Sequence, residues 1–305
     1  MKKLCASTFR VLSMSLRRLA GWLGALSYFF GYIRFKYFEF VPEQSDIFIV
    51  SYPRSGTTWL QMIVYQLMTD DAAITFSHVS EVMPWLEQRI WTNAFGAISC
   101  RTGPRRVFKS HLPYGPGFLT IPKGPCKYIY IARDGRDVAM SFYRFYESHL
   151  RFQGSFDEFF HLFMRGKVQF GSWFKHVAGW RAAREQPNVL FLSYEEMSKD
   201  LLGAIGRIAL FCGFEVTHDE LERVASRSTF EFMKHHEAKF DHLTELQLRL
   251  GIRPGQFLRR GELGHGENAL NEAQAAAFEN AFAKWFEQGR SSVTGSGPTG
   301  KAATF

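Results

Sequence analysis

The chain has 305 residues, 46% of them hydrophobic, and a formal charge of +8. That is enough apolar material to bury a large core, in one sizeable α/β domain or two small ones. Four scattered cysteines without C-x-x-C spacing argue against a zinc site and a disulfide framework, so a reducing, cytoplasmic compartment is the expectation.

The charge excess does not predict a nucleic-acid partner. Lys2, Lys3, Arg10, Arg17, Arg18, Arg34 and Lys36 all precede the first acid, Glu39, and the rest of the chain is nearly neutral. Residues 1–40 therefore read as a basic and apolar extension. Its stretch 19–33 (LAGWLGALSYFFGYI) is short for a membrane span, which needs about 20 residues. It can pack on the domain as an apolar helix, or lie on a membrane surface through residues 1–38. Trp22, Phe29, Phe30, Tyr32 and the basic flanks favour the surface reading. A type II anchor is the third alternative.

Residues 47–67 organise the remainder. The apolar run Ile47-Phe48-Ile49-Val50 stops at Ser51-Tyr52-Pro53. A small polar loop, Arg54 to Thr58, follows, and Trp59, Leu60, Ile63, Val64 and Leu67 then recur at helical spacing. Buried strand, tight loop and helix are predicted, with a Ser or Thr hydroxyl as helix N-cap. Such a loop aims backbone N–H groups and a helix dipole at one point that favours an anion, and Arg54 adds a positive charge. The nucleotide loop G-x-x-x-x-G-K-[ST] is absent, because one Gly stands here and the basic residue precedes it.

Residues 69–104 read as loop and short helix, with Trp85 and Trp91 at apolar positions. A short strand at Arg106-Val107-Phe108 leads into Lys109-Ser110-His111-Leu112-Pro113. A third strand spans Lys127 to Ala132, followed by Arg133 and a helix from about Arg136 through Tyr146. Helical stretches over 156–184 precede a fourth strand, Asn188 to Leu192, that ends near Tyr194. Helices are predicted over 199–212, 217–236 and 271–289, with a Ser/Thr/Gly-rich, disordered tail from 291. The domain proper is then 41–290.

Strands alternating with helices predict a central parallel sheet flanked by helices, with the ligand beyond the strand carboxyl ends. Arg54–Thr58, Lys109, His111, Arg133 and Tyr194 all fall there. Lys109 and His111, two apart, share a face if the backbone stays extended. A Lys that holds charge and a His that takes a proton make a transfer centre, although a solvated Lys and a capping His fit the local pattern too. Arg133 and Ser141 suit a phosphate, whereas pairing of Arg133 with Asp134 or Asp137 is the plainer alternative. Trp59 and Phe230 are candidate ligand-stacking rings, with core packing as the plainer alternative. Phe142, Phe145, Trp85 and Phe118 are candidates for an apolar acceptor pocket. His235, His236 and His242 lack metal-ligand spacing, and no metal is expected.

The order Tyr-Pro-Arg-Ser-Gly-Thr-Thr-Trp at 52–59 resembles the 5′-phosphosulfate loop of cytosolic-type sulfotransferases. Lys-Ser-His-Leu-Pro at 109–113 is similar to that family's catalytic Lys-Thr-His-Leu-Pro. The resemblance covers roughly 45–290. It implies the P-loop-like sulfotransferase fold and transfer of a sulfuryl group from 3′-phosphoadenylyl sulfate (PAPS) to a hydroxyl or amine of a small acceptor. It implies Arg54, Lys109 and His111 as catalytic residues. It further implies Arg54, Ser55, Gly56, Thr57 and Thr58 at the 5′ end, Arg133 and Ser141 at the 3′-phosphate, and Trp59, Tyr194 and Phe230 at adenine. Arg259, Arg260 and Gly261 resemble the family's closing Arg-Lys-Gly segment. Arg54 departs from the family's usual Lys, His265-Gly266-Glu267-Asn268 replaces the Asp-Trp-Lys run, and the family's C-terminal dimer motif is not recognisable. The rivals are a nucleotide-dependent phosphotransferase, which would want a Lys after the loop Gly, and a catalytically silent membrane-tethered PAPS-binding protein.

Overall fold

A computed structural model describes residues 19, 22–69, 74–88, 101–102, 105–117, 119–241, 257–258 and 264–286. Five strands form one sheet in the order β2-β3-β1-β4-β5: β1 Ile47–Ser51, β2 Arg101–Thr102, β3 Arg105–Ser110, β4 Lys127–Ala132 and β5 Val189–Ser193. Four strands run parallel, and only the short edge strand β2, which the sequence pattern did not reveal, is antiparallel. Strand β1 lies between β3 and β4, with Ile49 opposite both Lys109 and Ile129. The chain therefore departs to opposite sides of β1, and a crevice opens at its carboxyl end.

The uninterrupted apolar run of β1 follows from burial on both faces. Alternate side chains part company across the sheet. Ile47 and Ile49 pack with Leu60, Ile63 and Val64 of helix α2 (Thr57–Met68), and with Ile205 and Ile208 further on. Phe48 and Val50 enter an aromatic cluster with Phe108, Tyr128, Tyr130 and Trp180. The N-terminal helix, α1 (22–34), runs into a π-helical turn at Phe35–Glu39, and Tyr32, Phe35 and Phe40 join this second cluster. Its other end is bare: Leu19, Trp22, Leu23, Leu26 and Phe30 are 47–72% exposed. The segment thus packs on the domain at one end and is exposed at the other.

A third cluster lies beyond the strand ends. Tyr52 meets Val138 and Phe142 of helix α3 (Gly135–Leu150), together with Phe159, Phe163, Trp173 and Phe278. Each buried ring stabilises by about 1.5–3 kcal/mol, so the crevice has a rigid aromatic floor. The helical stretch 156–184 breaks in two because Gly166, Phe170 and Gly171 adopt positive φ. Ser172 then caps the second piece by accepting the Lys175 N–H. Likewise 217–236 divides into His218–Ser226 and Phe230–His235, where Thr229 accepts the Phe232 N–H and starts a new helix.

Candidate active site

Strand β1 ends at Ser51, and the loop turns through Arg54 and Gly56, both at positive φ. The N-cap of α2 is Gly56, at φ 100°, and no side chain caps the helix. The expected Ser or Thr cap is therefore corrected. Ser51 and Thr57 hydroxyls bond each other at 2.5 Å instead, and the Ser55 hydroxyl is buried with no hydrogen-bond partner among the described residues. An uncapped helix N-terminus keeps its first-turn amides open to an anion. Only glycine fits at 56, because an added Cβ would lie 2.9 Å from Tyr194 Cδ2 and 3.0 Å from Ile131 Cδ1.

One cavity of about 660 Å³ gathers the predicted residues. Arg54, Gly56, Thr57, Thr58 and Trp59 line it from the loop, Lys109 and His111 from the end of β3, and Arg133 and Ser141 from the end of β4 and α3. Tyr194 and Phe230 complete the set, while Ser55 sits behind the lining. Arg259, Arg260 and Gly261 lie outside the described residues, as does Phe118. Trp85, Phe142, Phe145 and Phe170 form apolar wall.

Arg54 Nε donates to Ser141 Oγ at 3.2 Å and Nη2 to the Phe257 carbonyl at 2.8 Å. Its guanidinium lies over Phe145 and Phe257, at 5.4 and 4.9 Å from the ring centroids. Arg133 makes the expected ion pair with Asp137 while still lining the cavity. It pairs with Asp137 at 3.3 Å and lies 4.4 Å over the Tyr194 ring inside the cavity. Trp59 is tied by Nε1 to the Ser228 carbonyl at 2.7 Å, with its ring edge-on to Tyr194 at 5.2 Å. Asp137 also accepts from the Gly264 and Gly266 N–H groups, which pins the C-terminal segment to the Arg133 end.

Residues 74–88, in the stretch expected as loop and short helix, pack against Lys109 and His111. Lys109 N–H donates to the Pro84 carbonyl, and Lys109 Nζ lies 4.8 Å over Trp85. Glu87, fully buried, accepts the His111 backbone N–H. Nothing in the local pattern of Trp-Leu-Glu-Gln marks that carboxylate as interior. His111 Nδ1 lies 2.8 Å from the Ser51 carbonyl, which can only accept. Nδ1 therefore carries the proton and Nε2 the lone pair. His176 supports the same loop: Tyr130 Oη bonds its Nδ1 at 3.0 Å, and its Nε2–H donates to the His111 carbonyl at 3.0 Å.

Burial sets the electrostatics. It pushes His111 well below the ordinary histidine value, and the Lys109 ammonium pushes it further. His176 falls to about 4, chiefly by burial. Lys109 is lowered to about 8 by burial, with Glu87 opposing and Arg54 assisting. Glu87 itself rises to about 7, again by burial. At neutral pH the arrangement is a neutral imidazole with one available nitrogen beside an ammonium and two guanidinium groups. It can bind a polyanion and accept a proton.

A sulfotransferase domain profile matches residues 44–290. Sulfotransferase 2B1 of Mus musculus is 36% identical over 244 residues, 79% of this chain and 71% of that protein. Sulfotransferase 2A1 of Homo sapiens is 35% identical over 248 residues, 80% of this chain and 85% of that one. Among solved structures, retinol dehydratase in complex with androsterone and inactive cofactor PAP superposes with a TM-score of 0.70 at 25% identity, covering 85% of this chain and 84% of the other. A mouse sulfotransferase complexed with PAP gives 0.63 at 30% identity, covering 83% and 89%.

Proposed function

The chain belongs to the sulfotransferase family, and from that premise we propose how its own residues carry the reaction. The protein is an enzyme that moves a sulfuryl group from PAPS to a small-molecule acceptor. In our reading, PAPS supplies the activated sulfuryl group, and the uncapped amides of the loop, Arg54 and Lys109 hold its phosphosulfate. Arg133 and Ser141 hold the 3′-phosphate, and Trp59, Tyr194 and Phe230 hold adenine. The orphaned Ser55 hydroxyl and the three lining cations fit such a polyanion.

His111 Nε2 takes the proton of the acceptor hydroxyl as the acceptor oxygen bonds to sulfur. The sulfur–oxygen bond to the departing phosphate breaks, and Lys109 and Arg54 offset charge on the transferring group and the leaving oxygen. The observation that carries this assignment is the Ser51 carbonyl on His111 Nδ1, which leaves the other nitrogen basic. The aromatic wall of Trp85, Phe142, Phe145 and Phe170 selects an apolar or aromatic acceptor.

Transfer of labelled sulfate from PAPS to a panel of phenols, alcohols and lipid extracts tests the reading. A thermal shift produced by ATP with Mg²⁺ and not by 3′-phosphoadenosine 5′-phosphate (PAP) would remove it.

We assign catalysis to residues 41–290 and a cytoplasmic, membrane-peripheral placement to the extension before them. Leu19, Trp22, Leu23, Leu26 and Phe30 recur at three- and four-residue spacing on the exposed helix, beside Arg34 and the sequence positives Arg17 and Arg18. That pattern fits an anionic bilayer surface. Among the described residues no helix is long and apolar enough to cross a membrane. Co-sedimentation with phosphatidylserine vesicles should be lost in a Trp22→Ser/Leu26→Ser/Phe30→Ser variant. Equal sedimentation of variant and wild type would refute the assignment.

A further inference from the structure

Asp241 is the one acidic residue among the described residues that line the cavity. A cavity framed by Arg54, Lys109 and Arg133 for a polyanion gives a carboxylate no favourable place beside that polyanion, because like charges repel. Its neighbours put it at the acceptor wall. His149 Nε2 lies 3.2 Å from Asp241 Oδ1, and both side chains are only 2% exposed. The His149 ring stacks on Phe145 at 4.5 Å and meets Phe257 edge-on at 6.3 Å, the same two rings that face the Arg54 guanidinium. His78 ties the pair to the transfer centre: burial lowers its pKa, Lys109 lowers it further, and Asp241 acts in the opposite direction.

The second carboxylate oxygen, Oδ2, is buried and has no hydrogen-bond partner among the described residues. A buried acceptor atom left without a donor is costly, so this position is complete only when something donates to it. Asp241 lies in the cavity, and the cavity's apolar wall binds the body of the acceptor. We propose that the His149–Asp241 pair is a specificity subsite, and that the acceptor is a two-headed molecule. One hydroxyl reaches His111 for sulfation, an apolar body spans the aromatic wall, and a second hydrogen-bond donor, a hydroxyl or an amine, meets Asp241 Oδ2. The inference rests on the reading of this cavity as the acceptor site, and it narrows the acceptor class from apolar to apolar with a second donor.

The test uses the full chain saturated with PAP, so that binding is measured without turnover. Calorimetric titration takes para-alkylphenols of graded chain length whose far end is a methyl, a hydroxyl or an amine. At the matching length the donor-bearing ligands should bind about 10- to 100-fold more tightly than the methyl ligand, the worth of one hydrogen bond to a charged group. That preference should collapse in Asp241→Leu and in His149→Leu/Asp241→Leu, with the thermal shift by PAP reporting that each variant is folded. The double variant matters because removing one member of a buried pair can itself unfold the site, whereas an apolar replacement of both is often tolerated. A pair that merely staples α3 to the turn at Glu237–Lys239 would leave the ligand preference unmoved. Equal affinity for methyl and donor ends at every length, or a preference that survives in both variants, overturns the proposal. Sulfate transfer to the same series separates the two readings. Preference in binding without transfer supports the subsite and refutes the role given to His111, and transfer without preference does the reverse.

Discussion

Replacement of Gly56 by alanine probes the loop proposed to hold the phosphosulfate at its tightest point. The residue sits at φ 100°, ψ 16°, a conformation that costs an L-residue about 1 kcal/mol or somewhat more. The new Cβ would meet the Tyr194 ring at 2.9 Å and Ile131 at 3.0 Å. Tyr194 is itself held between Arg133 and Trp59, and Ile131 is fully buried in β4, so neither moves freely. Overpacking of this kind costs about 1–3 kcal/mol. The sum, roughly 2–4 kcal/mol, lowers Tm by about 4–8 °C at about 2 °C per kcal/mol for a large domain. Displaced loop amides and a tilted Tyr194 should also weaken PAP by about tenfold or more, through loss of charge-assisted hydrogen bonds. Differential scanning fluorimetry with and without PAP reads both effects. Gly206→Ala is the control, because no atom lies within 4 Å of a Cβ built there. A Gly56→Ala protein with wild-type Tm and wild-type PAP affinity would show that this glycine is not required by space or by backbone.

His111→Ala should lower kcat by about 10²–10⁴ while the PAP thermal shift persists; a kcat near wild type would dismiss it as the base. Because the folded His111 pKa is depressed, the neutral base persists through neutrality, and the acid limb of kcat/KM should fall below the ordinary histidine range. Lys109 is lowered to about 8, so its charge is present below that pH and lost above it. An alkaline limb near 8 is expected, and Lys109→Met should lose activity and abolish that limb together. Asp46 is fully buried and accepts from Arg106 Nε at 2.7 Å and Nη2 at 2.6 Å, which locks the start of β1 to β3. Asp46→Ala should cost about 1.5–3 kcal/mol by removing charge-assisted hydrogen bonds, while Glu43 and the Val41 carbonyl still hold Arg106, seen as a lower urea midpoint, with PAP binding retained in the folded fraction.

The strand–loop–helix of residues 47–68 was legible because its cause is local. A run buried on both faces must be apolar, a positive-φ turn wants Gly56, and a helix packed on one sheet face repeats its apolar residues at three and four. The same holds for the strands bearing Lys109, Arg133 and Tyr194, whose ends carry the polar residues wherever they fall in sequence. Helix boundaries at 164–173 and 226–230 were less legible. There the breaks come from positive φ at Phe170 and from a Thr229 cap that competes with helix continuation. The N-cap of α2 differs from expectation because the positive-φ turn puts Gly56, which has no side chain, at the cap position, and leaves the Ser55 hydroxyl without a partner among the described residues.

The chain order of residues by itself determined the four parallel strands, the strand–loop–helix at 47–68 and the family to which they belong, since each of these is written in short-range pattern and spacing. Tertiary structure alone decided which nitrogen of His111 is basic, through a carbonyl 60 positions away. It likewise decided that Glu87 is interior, 24 positions from the amide it accepts, and that His149 meets Asp241 across 92 positions. The physical reason is common to all three. A side chain's protonation and partners depend on what burial brings against it, and burial joins segments whose separation in the chain carries no periodic signal.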